Sequence, residues 1–144
     1  MTSIREQICA ILDARLQAIA DDHAGEYERD PAADPIKFPA LSLIDNGQRP
    51  SEEESDTTRY AMDIAIEVFA EGSGGLAVSQ QLNELHAAIV SAVMEEPPIE
   101  GLAEGFEEGV LTRSTATLAD QARKGFRQDF IIIFPTRRGD PASQ

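Results

Sequence analysis

The sequence predicts an α+β domain: a mostly antiparallel sheet of four to six strands with two helices packed on one face. Three observations carry this. Thr57 to Ala70 alternates with period two, placing Tyr60, Met62, Ile64, Ile66 and Val68 on one face. Two separate stretches, near residues 3–20 and 76–94, repeat apolar residues at helical spacing. The order is helix, two to three strands, helix, two to three strands, without internal repeats, which favours antiparallel hairpins under a helical layer.

Bulk properties bound the rest. A chain of 144 residues with 42% hydrophobic content suits one domain over 1–144 that needs neither disulfide nor metal to hold its core. The single Cys9 cannot form an internal bridge and suits a reducing compartment. The N-terminus, interrupted by Arg5, Glu6 and Asp13, does not read as a secretory signal, and no apolar run is long enough to span a membrane. A net charge of −14 removes the positive footprint that phosphate binding requires. Direct nucleic-acid binding is therefore not expected.

The elements follow in order. Ser3 stands three residues before Glu6, the capping-box spacing, and opens a helix. Ile4, Ile8, Ile11, Leu12, Leu16 and Ile19 form its stripe to about Ala20, with Cys9 half-buried beside it. Glu26 to Arg29 reads as a short strand. A proline-rich loop leads to a strand over Phe38 to Asp45, with Pro39 at its start. Asn46-Gly47 signals a turn, so residues 46–58 read as an acidic hairpin loop carrying Glu52, Glu53, Glu54 and Asp56. The long strand Thr57 to Ala70 follows. Its second face is mixed: Arg59, Ala61, Asp63, Ala65, Glu67 and Phe69.

Glu71 to Gly75 is glycine-rich and leads to a helix over Leu76 to Met94, with Val78, Leu82, Leu85, Ile89 and Val93 as its stripe and Pro97-Pro98 as its stop. Val110 to Leu118, rich in Thr, reads as a strand. Asp120 to Lys124 reads as a polar turn. Phe126 to Phe134 is the last strand, ended by Pro135, with Gln128 the polar exception on its apolar face. Residues 1–2 and about 138–144 read as flexible ends. The Arg138-Gly139-Asp140 triplet reads as chance.

Candidate chemistry is sparse. The glycine-rich loop lacks the Lys and spacing of a phosphate-binding motif. The acidic loop lacks a calcium-loop pattern and has no His or Cys. Neither serine context nor the separated His23 and His86 makes a nucleophile–base pair. Asp63 and Glu67 share a strand face about 13 Å apart, too far for a catalytic acid pair. No cofactor, no metal and no enzymatic activity are expected.

The order and texture of the chain resemble a known family. SIREQICAILDARLQAI comes first, then GEYERDP, the proline-flanked strand FPALSLIDNGQ and the long strand TTRYAMDIAIEVFAEG. LNELHAAIVSAV and the closing EGFEEGVLTRSTATLADQARKGFRQDFIIIFPT complete it. Over roughly residues 3–136 this is similar to the tail terminator proteins of tailed bacteriophages, the minor tail protein U or tail completion family. The resemblance implies a subunit of a homohexameric ring. That ring caps the tail tube, ends its polymerisation and offers a surface to a head-completion or connector protein. It implies a place in the virion tail, and in the host cytoplasm during assembly. Six copies at −14 each carry −84, and a negative lumen would pass DNA without specific binding. Contacts with neighbouring subunits or the tube are expected at Arg59, Asp63, Glu67 and Phe69, at Glu52, Glu53, Glu54 and Asp56, and at Arg137 and Arg138. The alternatives are another small phage neck or tail completion protein, a cytosolic α+β binding domain that dimerises through a sheet face, and, more weakly, a small enzyme.

Overall fold

A computed structural model describes residues 2–72 and 74–144. The chain runs α1 (Ile4–Asp22), β1 (Glu26–Arg29), β2 (Ala40–Glu53), β3 (Thr57–Ala70), α2 (Gly75–Val93), a 3-10 turn (Pro98–Gly101), β4 (Gly105–Leu118) and β5 (Gln121–Arg137). The five strands form one sheet in the order β1-β2-β3-β5-β4. β1 pairs with β2 in parallel, and every other pair is antiparallel. The fold is α+β, with both helices on one face of the sheet.

The predicted alternation of β3 builds the core. Met62, Ile64, Ile66 and Val68 are at most 1% exposed and meet Ile8, Leu12 and Leu16 of α1, and Leu82, Leu85 and Ile89 of α2, in one apolar cluster. β5 adds Phe126, Phe130, Ile132 and Phe134 from the adjacent register positions. Burying a side chain of this size stabilises by roughly 1.5–3 kcal/mol, so the β3–β5 pair is the centre of the fold.

The helices are fixed by polar contacts at their ends. Ser3 caps α1 by accepting from the Glu6 amide at 3.1 Å. The reciprocal half of the expected capping box is absent: the Glu6 carboxylate instead takes a two-pronged bond from Arg29 on β1, both arms at 2.8 Å. Arg29 also donates to Asp13 at 2.8 Å, and the Tyr27 hydroxyl donates to the same carboxylate at 2.5 Å. This network joins the short β1 to α1. The C-terminus of α2 contains no basic residue. Arg15 of α1 supplies one, donating to the Ala92 and Val93 carbonyls at 3.3 Å.

Several boundaries differ from the sequence expectation. Asn46-Gly47 is not the hairpin turn: β2 continues through it by a register shift between Asp45 and Gln48, with Gly47 at φ 96°. Strand extends to Glu53, so of the stretch expected as an acidic loop only Glu54 to Asp56 turns the chain. The second hairpin turn is Ala119-Asp120, at φ 52° and 61°, and Gln121 to Lys124 is strand rather than turn. Pro135 does not end β5. It pairs with Arg59 on one side, while on the other β4 begins only opposite Ile133, so no ladder partner needs the missing N–H. Cys9 is 1% exposed rather than half-buried. Residues 138–144 fold back: the Pro141 carbonyl accepts from the Ile4 amide at 2.9 Å, and the Gln144 side chain donates to the Leu102 and Pro135 carbonyls.

Candidate functional site

The sheet face opposite the helices carries no helix, and it is the surface most clearly set apart by its side chains. Strand alternation and pairing fix its composition. Rows run across the strands: Arg49–Ala61–Ile133, Ile44–Ala65–Asp129, Asp63–Ile131–Glu107, Ser42–Glu67–Arg127–Thr112 and Ala40–Phe69–Gly125–Ser114. Ile44, Ile131 and Ile133 are only half-buried there. Their neighbours are charged side chains in pairs of opposite sign.

Four such pairs involve residues expected from the sequence. Asp63 accepts from Arg49 at 2.5 Å. Glu67 faces Arg127 at 3.6 Å, and Arg127 also meets Asp129 at 3.0 Å. Arg59 joins Glu54 at 2.7 Å to Glu104 at 2.8 Å, and these two carboxylates push its pKa further up. Thus the two glutamates and the arginine tie the β2–β3 hairpin to the segment entering β4.

Phe69 lies across Gly125. A Cβ on that glycine would stand 2.2 Å from the Val68 carbonyl oxygen and 2.6 Å from the Phe69 ring, so only glycine permits the approach. Phe69 also borders a cavity of about 270 Å³ with Pro35, Ala40, Ile44 and Leu118. Beside it, the Arg123 guanidinium stacks 4.1 Å above the Phe38 ring and meets Glu71 at 3.1 Å.

The remaining expected residues gather at one end of the sheet. Glu52 pairs across from Arg59, and Glu53 across from Thr58, both with exposed side chains. The Asp56 carbonyl accepts from the Arg138 amide at 2.9 Å, and Arg137 pairs with Thr57. The structure therefore groups the ten residues into a mid-sheet set and an end set, linked through Arg59.

The reactive side chains have other surroundings. Burial pushes the Cys9 thiol up to about 11, which suppresses the thiolate. His23 bonds the Ile19 carbonyl at 2.9 Å at the end of α1. His86 bonds Gln128 at 2.8 Å and stands edge-on to Phe126. Gln128, 1% exposed, in turn donates to the Gly109 carbonyl at 2.9 Å. The polar exception in the last strand is thus a satisfied core bridge from α2 to β4. Among the described residues, no group of three His, Cys, Asp or Glu is placed to hold a metal ion, and no helix is long and apolar enough to cross a membrane. Chemically, the uncovered face offers apolar surface ringed by paired charges, the composition of a protein contact.

Sequence reasoning overlooked Ile131 and Ile133. The signal was present: Phe130 to Phe134 is apolar at five consecutive positions, and a strand that buries only one face does not require that. It also overlooked the register shift between Glu108 and Leu111, which leaves Val110 66% and Leu111 43% exposed on the edge strand.

Comparison with known proteins adds no assignment: no family model matches the chain, and no curated protein matches it significantly.

Proposed function

We propose that the chain is a virion structural protein of the tail terminator type, a subunit of a homohexameric ring that caps a phage tail tube, ends its polymerisation and presents a surface for head joining. The observation that carries the proposal is the uncovered sheet face. Three half-buried isoleucines set among paired charges on a bare sheet still have apolar surface that a neighbouring subunit could cover. The order and texture of the chain, similar to that family, supply the particular assembly. We assign the mixed face to contact between copies.

Charge placement refines the proposal. Most charges of the uncovered face are paired, Arg49 with Asp63, Arg127 with Glu67 and Asp129, and Arg59 with Glu54 and Glu104, while Glu107 is exposed beside them. Exposed carboxylates outside ion pairs, such as Asp21, Asp22, Glu84, Glu95 and Glu96, lie along and beside the helices. A negative lumen would then be lined by loops or helices, and the largely charge-paired sheet face would meet the adjacent subunit.

Native mass spectrometry with negative-stain microscopy, with and without tail tubes, tests this. Closed six-membered rings, free or seated on tube ends, are the expected result. A dimer at every concentration that ignores tube ends would favour the dimeric binding domain instead.

A further inference from the structure

Two charged features of opposite sign lie at opposite ends of the sheet. Thr57 of β3 pairs with Arg137, and Ala70 pairs with Lys124, so the β2–β3 turn and Lys124 are separated by the full strand. Fourteen residues at about 3.3 Å each put roughly 40 Å between them.

At the turn end, Glu52, Glu53 and Asp56 are exposed and have no cationic partner among the described residues, while Glu54 is held by Arg59. Arg137 and Arg138 flank the turn without forming an ion pair to it among the described residues. At the far end, β4, β5 and α2 enclose an open cavity of about 480 Å³. Arg113, Thr115 and Lys124 line it from the strands, and Ser79 and Leu82 from α2. Among the described residues no carboxylate lines it. Arg113 bonds the Asn83 side-chain oxygen, and neither Arg113 nor Lys124 has an acidic partner among the described residues. In a chain of net charge −14, two exposed cations lining one cavity make a local positive patch that suits an acidic partner.

We infer that this cavity receives the acidic β2–β3 turn, Glu52 to Asp56, of a second copy of the same chain. The contact joins unlike surfaces, so it is heterologous. It propagates head to tail, and closes into a ring if the rotation between copies allows. The inference rests on the ring proposal for closure, but not for the contact itself. Arg113 and Lys124 are donors only, and two or three carboxylates brought to them by a narrow hairpin complete their hydrogen bonding.

Charge reversal in complementary variants tests it. Arg113→Glu with Lys124→Glu makes the cavity acidic, and Glu52→Lys with Glu53→Lys makes the turn basic. All four side chains are exposed, and circular dichroism with thermal melting checks that each variant folds. Sedimentation velocity is expected to show self-association of the unaltered chain, and each variant alone weakened at least tenfold. An equimolar mixture of the two is expected to regain association, because every junction then pairs a basic surface with an acidic one in alternation. The neutral pair Arg113→Gln with Lys124→Gln should lie between the two states. Variants that associate like the unaltered chain overturn the contact, as does a mixture that fails to recover. An unaltered chain that stays monomeric up to millimolar concentration also overturns it. Microscopy of the recovered mixture addresses closure separately: open filaments keep the contact and reject the ring.

Discussion

Replacing Asp63 with Lys separates assembly from folding. Asp63 lies mid-sheet on the uncovered face, 2.5 Å from Arg49, with side-chain exposures of 40% and 56%. A pair this accessible is worth roughly 0.2–1 kcal/mol after screening and side-chain entropy. Asp63→Lys exchanges that attraction for a like-charge contact, so the folding cost should be about 1 kcal/mol. For a chain of this size that lowers Tm by about 3 °C. Against a total stability of about 5–15 kcal/mol, the variant remains folded. If the face meets another subunit, the same change buries an unmatched cation at every junction, at about 3 kcal/mol or more. The association constant then falls more than about a hundredfold, since about 1.4 kcal/mol is a factor of ten. Scanning calorimetry reads the first quantity and sedimentation velocity the second. Asp63→Asn, which removes the charge without reversing it, should weaken association far less. Association that is unchanged, or that falls only in step with Tm, would refute the reasoning and leave β3 as core scaffold.

Three further outcomes concern stability. Between pH 9.0 and about 11 the unfolded chain ionises the Cys9 thiol and the folded chain does not, so the folded state binds more protons and stability falls as pH rises. A shift of about two units makes this loss about 2.7 kcal/mol at most. Urea unfolding at pH 8, 9.5 and 11 should show a shallower decline in Cys9→Ala, with some slope remaining because burial and Asp13 also push the Tyr27 phenol up. Gly125→Ala forces its new Cβ into the Val68 carbonyl, and should destabilise by about 1–3 kcal/mol in thermal melts. Gly105→Ala, whose nearest contact would be an ordinary 3.6 Å, serves as the tolerant control. Gln128→Leu strips the partner from the His86 ring and one from the Gly109 carbonyl. A loss of about 1–3 kcal/mol is expected, with faster amide exchange in β4 near Gly109.

How legible these features were depended on where the deciding physics sits. β3 was readable because Tyr60, Met62, Ile64, Ile66 and Val68 recur at every second position, and a one-residue slip would expose Met62, Ile64 and Ile66. Both helices were readable from their stripes, with ends displaced by one or two residues. The turns were not. Asn46-Gly47 carries a strong local hairpin signal, yet fourteen residues of β3 offer ladder partners beyond it, and pairing wins by absorbing the glycine as a bulge. Ala119-Asp120 makes a two-residue turn without the glycine that usually marks one. Of the candidate site, membership of the strand face was visible in Asp63, Glu67 and Phe69. Their partners were not, because Arg49 and Arg127 arrive from other strands and only the register brings them into place. Gln128 looked like a flaw in an apolar strand until His86 and the Gly109 carbonyl appeared beside it.

Tail length is the most direct readout of the proposed terminator role. Deleting this chain from a phage that encodes it, and imaging the tails by electron microscopy, measures the tube-length distribution and the fraction of tails joined to heads. Overlong tubes without heads, restored to uniform joined tails when the chain is supplied in trans, are the predicted result. Tails of normal length joined to heads in its absence would contradict the proposal.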